Sequence, residues 1–285
     1  MIRTKFWGVR GSIPTPGTAT AGIGGNTSCV EMRCGSARLI FDAGTGIRLL
    51  GRELASESPC VLHLFFSHVH WDHIQGFPFF APAFIPGTTI HLHGPRNYLG
   101  TIETVLGGQM EFPTFPVVLD ELAADLVFHD VTAGDEIEIS PGLKVRSAAG
   151  HHPGGVLAYR VDYEGSSVVY ATDTEYGPDD LDPTFVELCR GADLLIYDTM
   201  YTPEEYDGRA DGRSRAGWGH STWEGGVALA KAAGVKRYAL FHHDPDQDDA
   251  AVERKLQRTK ELFPNCLLAR EGLELEIRAL VGRSR

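Results

Sequence analysis

Three histidines and an aspartate stand within six residues, in the run His68-Val-His70-Trp-Asp72-His73. Imidazole and carboxylate are costly to bury without partners. Core packing does not explain that density; a cation does. The preceding run Val61 to Phe66 is short and apolar with turn signals behind it, so it reads as a buried strand whose C-terminal end delivers the cluster. The period-two spacing points His68 and His70 the same way if strand geometry continues through them, whereas Asp72 and His73, adjacent in sequence, must diverge. That divergence suits two metal ions rather than one. Nitrogen and oxygen donors without thiolate fit zinc, with manganese or iron as other occupants.

The rest of the composition narrows the setting. A chain of 285 residues is long enough to bury a large core. Its 42% hydrophobic and 22% charged content excludes disordered and fibrous classes. The start, Met1-Ile-Arg-Thr-Lys-Phe-Trp-Gly, lacks an export signal, and no 18-residue apolar run occurs, so a cytoplasmic protein without a membrane partner is expected. Cys29, Cys34, Cys60, Cys189 and Cys266 are odd in number and form no C-x-x-C pair, which argues against disulfides and thiolate zinc alike. A net charge of -12 repels a polyanion, so a long nucleic acid is a poor substrate, although bound cations would still draw in one phosphate.

No linker or repeat divides the chain, and residues 1–285 read as one domain. Strands are predicted at Lys5 to Val9, Ser28 to Arg33, Arg38 to Phe41, Val61 to Phe66, Leu143 to Ser147, Val156 to Val161, Ser167 to Ala171, Asp193 to Tyr197 and Arg237 to Phe241. Helices are predicted from Ile47 to about Ser56, near Asp179 to Cys189, over Thr222 to Ala233, and from about Asp248 to Leu262. Residues 77–130, rich in Pro and Phe with one weak helix from Pro95 to Leu106, form a candidate cap over the site. Strand pairs early, helices interleaved later and a further strand pair at the end predict an α/β fold, two sheets between helices.

His68-x-His70-x-Asp72-His73 at the end of an apolar strand resembles the signature of the metallo-β-lactamase superfamily, and Phe41-Asp42-Ala43-Gly44-Thr45-Gly46 resembles its first motif. The resemblance implies a four-layer αββα sandwich and, for Asp42, the role of orienting the metal-binding loop from behind; the plainer reading of Asp42 is an Asp-x-Gly turn. Gly150-His151-His152-Pro-Gly-Gly resembles the third motif, with His152 preferred to His151 as ligand. Tyr170-Ala-Thr-Asp173-Thr resembles the fourth, whose aspartate bridges the metals, and Leu240-Phe-His242-His243-Asp-Pro the last, with His242 preferred to His243. His220, in Gly217-Trp-Gly-His-Ser-Thr222, is similar to the extra histidine of the phosphodiesterase branch, which includes ribonuclease Z and cyclic-nucleotide phosphodiesterases; its plainer reading is a residue before a capped helix. No insert resembles the tRNA-gripping arm of ribonuclease Z, which weighs against a large RNA.

The resemblance thus implies a small phosphodiester, a cyclic nucleotide first, hydrolysed by a hydroxide bridging two divalent cations, and a homodimer. His68, His70 and His152 would hold one cation; Asp72, His73 and His242 the other; Asp173 would lie between. Asp72 and His220 are the residues expected to take part in the chemistry. Trp71 and Trp218 are candidates for stacking on a base. Arg10, Asn26, Thr27 and Ser28 could bind phosphate or sugar, and the loop Asp207 to Gly217, with three arginines, could greet a phosphate. Two other classes compete: an ester, lactone or thioester hydrolase, which leaves His220 without a task, and a non-enzymatic metal-binding protein.

Overall fold

β1 (Ile2–Gly8) and β2 (Cys29–Cys34) run antiparallel, and the chain reverses at Gly35 into β3 (Ala37–Phe41), in a computed structural model that describes residues 1–96 and 100–278. Gly35 has φ +61, a region glycine enters without a Cβ penalty. Alternation along β3 sets the layers: Leu39 and Phe41 face the interior shared with the second sheet, and Ile40 packs under α1 (Ile47–Leu54). α1 carries the chain across to β4 (Val61–Phe65), parallel to β3. After the short α2 (Trp71–Ile74) comes β5 (Thr89–Pro95), then α3 (Ile102–Gln109) and β6 (Asp125–Val131), both strands again parallel.

A meander of β7 (Glu136–Ser140), β8 (Leu143–Gly150), β9 (Val156–Tyr163) and β10 (Ser166–Ala171) opens the second sheet. α4 (Pro183–Cys189) leads to β11 (Leu194–Asp198), which runs parallel to β10. α5 (Pro203–Tyr206) and α6 (Trp223–Ala232) lead to β12 (Tyr238–Phe241), and α7 (Asp249–Leu262) to β13 (Cys266–Leu268), also parallel. β14 (Glu274–Ile277) returns to the first sheet beside β1. The orders are β14-β1-β2-β3-β4-β5-β6 and β13-β12-β11-β10-β9-β8-β7.

Between the sheets, Phe41 stacks on Phe65 with ring centroids 5.3 Å apart and meets Tyr159 and Tyr170 at 5.8 and 5.5 Å. Outside the first sheet, Ile47, Leu50 and Leu54 of α1 bury against Leu62, Leu64, Ile90, Leu92 and Phe80. Outside the second, Phe185, Val227 and Val252 do the same for α4, α6 and α7. Each such side chain contributes about 1.5–3 kcal/mol when fully buried. The result is the expected four-layer αββα arrangement.

Five strands were not expected where they occur. β5 and all of β6 but its last residue fall inside residues 77–130 and extend the first sheet, β7 edges the second, and the two last strands, β13 and β14, belong to different sheets. Pro95 ends a strand rather than starting a helix, the helix begins at Ile102, and part of the expected Pro95–Leu106 helix, residues 97–99, lies outside the described residues. β5 and β6 escape a hydrophobic-period reading because histidines occupy their inner face.

Candidate metal centre

Six strands end at the same edge of the sandwich, and each hands over a polar side chain. Asp42 follows β3, His68 follows β4, His152 follows β8, Asp173 follows β10, Asp198 closes β11 and His242 follows β12. Asp42, Asp173 and His242 have φ of 60, 49 and 56. Left-handed backbone costs a non-glycine residue about 1–3 kcal/mol and persists where the surroundings over-determine it; here it turns each side chain inward as its strand ends. The run around His68 is not strand throughout. His70 caps α2, and Asp72 and His73 sit in its first turn, so their tips do not diverge as strand geometry suggested but meet, Asp72 Oδ2 to His73 Nε2 at 3.1 Å.

All seven residues expected as ligands come together. His68, His70 and His152 form one set of convergent donor atoms and Asp72, His73, Asp173 and His242 another. His70 Nδ1 lies 3.0 Å from His152 Nε2. Asp173 faces both sets: Oδ2 is 3.7 Å from His68 Nε2 and 4.0 Å from His152 Nε2, while Oδ1 is 3.2 Å from both His73 Nε2 and His242 Nε2. His151, the alternative to His152, points to the Glu175 carbonyl at 3.3 Å, and His243, the alternative to His242, to the Ala269 carbonyl at 3.1 Å. Gly219 passes so close to His152 that a Cβ there would lie 2.1 Å from Nδ1, and its carbonyl accepts from that atom at 2.8 Å.

The donor set fits divalent cations. Among the described residues, the buried carboxylates Asp42, Asp72, Asp173 and Asp198 have histidines alone as ion-pair partners. An uncompensated charge of that kind is expensive. His68 Nε2 is buried without a hydrogen-bond partner and aims into the cluster, 3.7 Å from Asp173 Oδ2. Burial and then His73 push His68 well down, and burial lowers His70 and His152, so these imidazoles keep free lone pairs. Asp72 and Asp173 are held well below the carboxylate range: burial opposes this, but the surrounding imidazoles prevail. His73 goes the other way. Burial disfavours its charge, yet Asp72, Asp173 and Asp42 raise it well above the usual histidine value, so a proton fills the electrostatic place of a cation. Neutral imidazole and ionised carboxylate are the forms in which these groups ligate.

Asp42 lies behind the centre as expected. Its Oδ2 accepts from His73 Nδ1, Ser67 Oγ and Tyr170 OH, each at 2.7 Å, and Oδ1 accepts from Ser67 N–H at 2.7 Å. His220 stands beside the metal-type cluster, Nδ1 2.8 Å from Asp198 Oδ2 and 3.8 Å from Asp173 Oδ2. Burial works against its charge, but Asp198, then Asp173 and Asp72, raise it to about 9. Sequence reasoning missed Asp198, although Tyr197-Asp198-Thr199 ends an apolar strand just as Ala171-Thr172-Asp173 does. It also missed Glu175, which accepts from Gly217 and Gly219 N–H, both at 2.7 Å, and ties down the turn before His220.

Several lesser candidates are engaged inside the fold instead. Arg10 is fully buried and donates to the carbonyls of Gly24, Asp244 and Gln247. Asn26 is bound to Glu271, Thr27 to Thr45, and Ser28 is buried. In the 207–217 loop, Arg209 and Arg215 pair with Asp207 and Asp211. Trp71 and Trp218 remain 80% and 58% exposed beside the centre.

Residues 37–243, well over half the chain, match the family described as the beta-lactamase superfamily domain. Ribonuclease Z of Synechococcus sp. (strain CC9311) is 26% identical, the match covering 97% of this chain and 99% of the relative; ribonuclease Z of Pyrococcus furiosus is 27% identical over 95% and 94%. The metallo-beta-lactamase fold protein YhfI from Bacillus subtilis has the same fold, with a TM-score of 0.70 at 17% identity over 96% of this chain and 98% of that one. The chain belongs to the beta-lactamase superfamily and is a hydrolase of the metallo-β-lactamase fold.

Proposed function

We propose that the chain is a metal-dependent phosphodiesterase acting on a small phosphodiester, a cyclic nucleotide first. His68, His70 and His152 hold one divalent cation, Asp72, His73 and His242 a second, and Asp173 lies between, zinc being the ion that suits the donors best. Two such cations supply Lewis-acid charge to the phosphoryl oxygens and acidify a water. Asp72, kept ionised, accepts a hydrogen bond from that water and orients it. His220 gives Nδ1–H to Asp198, which supports the imidazolium, and so presents Nε2 to the leaving alkoxide as general acid. Trp71 and Trp218 offer exposed faces on which a base stacks. The same reading takes residues 1–285 as one hydrolase domain.

The observation that carries the proposal is the His220–Asp198 pair beside the cluster. A phosphodiester carries anionic charge on its non-bridging oxygens and expels an alkoxide, and an imidazole whose charged form Asp198 supports, standing beside the cluster, serves both needs.

The relatives named ribonuclease Z favour a second reading, cleavage of RNA. Two observations support the small substrate against it. The chain carries a net charge of -12, and the match to the Synechococcus relative runs over 329 aligned positions against 285 residues here, so segments of that relative have no counterpart. Metal-reconstituted protein should hydrolyse bis(p-nitrophenyl) phosphate and one or more of the 2′,3′ and 3′,5′ cyclic mononucleotides, and leave a lactone panel and a precursor tRNA untouched. Turnover confined to lactones would sink the phosphodiester reading, and turnover confined to the tRNA would give the second reading its place.

A further inference from the structure

Beside the second donor set the chain doubles back at Gly11-Ser12-Ile13. Ser12, an exposed residue, has φ +62, and the Ile13 N–H donates to the Gly11 carbonyl at 2.7 Å, two residues back. A three-residue turn closed about a positive φ is the strained form of the γ-turn. Such strain persists where the surroundings over-determine it, and here they do. The Gly11 N–H donates to the His243 carbonyl at 3.0 Å, and the His243 N–H to the Val9 carbonyl at 2.9 Å. Between them the buried Arg10 guanidinium donates to the carbonyls of Gly24, Asp244 and Gln247, which ties the turn to the segment that follows His242.

The turn delivers one main-chain donor to the centre. Ser12 N–H donates to Asp72 Oδ2 at 2.8 Å, the oxygen that also lies 3.1 Å from His73 Nε2 and 3.3 Å from His242 Nε2. A carboxylate offers about four lone-pair sites over its two oxygens, so Oδ2 can keep this bond and still face a cation. The turn also meets the one ring that hydrogen bonding leaves unfixed. His68 Nδ1 is 3.0 Å from Ser67 Oγ, His73 Nδ1 is bound to Asp42 and His152 Nδ1 to the Gly219 carbonyl. His242 Nδ1 is buried without a partner among the described residues, so packing must set that ring. A Cβ at Gly11 would lie 2.6 Å from His242 Nδ1 and 2.5 Å from the Met200 methyl, so the bare backbone is what lets the turn lie against the imidazole.

We propose, resting on the two-cation reading above, that Gly11 and Ser12 are positioning residues for the second cation. The Ser12 peptide N–H fixes the Asp72 carboxylate, and the uncovered Gly11 backbone sets the His242 ring. A similar device serves the first donor set, where Gly219 lies against His152 and accepts from its Nδ1.

Equilibrium dialysis of the full chain against buffered free Zn²⁺ tests this. Wild type is expected to hold two cations. Gly11→Ala, and Ser12→Val with a β-branched residue forced to positive φ, should hold the first as wild type does and the second about 10–100-fold more weakly, the usual cost of losing an orienting partner. Ser12→Gly keeps the N–H and takes a positive φ without a Cβ penalty, so it should restore wild-type binding. Equal affinity for both cations in wild type, Gly11→Ala and Ser12→Val overturns the proposal, as does a Ser12→Gly protein as weak as Ser12→Val. Fewer than two cations in wild type overturns the underlying reading, and this inference with it. Hydrogen exchange of metal-free wild type, read by NMR, needs no variant to fold: the Ser12 amide should be protected although its residue is exposed. Exchange at the rate of an open chain overturns the inference and leaves the two-cation reading standing.

Discussion

His220 is held in a charged form by one neighbour more than any other. Asp198 accepts from its Nδ1 at 2.8 Å and itself accepts from Met200 N–H through its other oxygen at 2.9 Å, so the carboxylate is fixed in plane and position. In the proposed reaction this pair delivers the proton while the metal ligands hold charge elsewhere. His220→Ala and Asp198→Asn should each lower phosphodiester turnover, by about 10²–10⁴-fold for loss of the general acid, with metal content per chain unchanged. Elemental analysis beside the kinetics decides it. Loss of metal in either variant would mean that the imidazole ligates rather than protonates.

At the scale of elements, the site depends on strand ends staying where they are. β11 is held from behind by α7: Lys255, fully buried, donates Nζ to the carbonyls of Thr199 at 2.6 Å and Met200 at 3.2 Å, just past Asp198. Burial lowers Lys255 to about 8, against an ordinary value of 10.5, with Asp244, Glu205 and Asp198 opposing the shift. Between those values the native chain binds fewer protons than the unfolded one, so the penalty for burying the charge is complete below pH 8 and is relieved as pH rises towards 10.5. The stability difference between wild type and Lys255→Met, from urea unfolding, should therefore shift in favour of wild type as pH rises from 8 to 10.5. A difference independent of pH would mean that the buried amine titrates as it does in the unfolded chain.

Which strand ends mattered was largely legible in the sequence, because apolar runs stopping at His68, Asp173 and His242 mark buried strands that end in the convergent donors. Asp198 carried the same mark and was passed over, since no cluster surrounds it in sequence. The α2 turn was hidden for another reason: H-x-H spacing reads as strand, and four helical residues are too few to show a period. β5 and β6 were illegible because His91, His93 and His129 stand where aliphatic residues would reveal the period.

For the whole molecule, those same histidines make the sandwich sensitive to acid. His63 is held at about 4 against an ordinary 6.5, so between these values the unfolded chain takes up a proton that the native chain refuses. Stability present above pH 6.5 is lost as pH falls towards 4. His63→Phe should flatten that part of the unfolding profile in the presence of chelator, and an unchanged slope would place the acid sensitivity elsewhere. The layers were expected because helices and strands alternate in the second half. That both sheets bring their strand ends to one edge was implied by the family resemblance alone, since no local pattern records which strands, far apart in sequence, lie side by side.

In the proposed reading Asp173 stands between two cations, with Oδ2 turned to one set of donors and Oδ1 to the other. Anomalous diffraction from crystals of zinc-reconstituted protein tests it most directly. Two peaks are expected, one within bonding distance of His68, His70 and His152 and one within bonding distance of Asp72, His73 and His242, with the Asp173 carboxylate touching both. No peak at that strand edge, or a single peak that leaves either set of donors unligated, would contradict it.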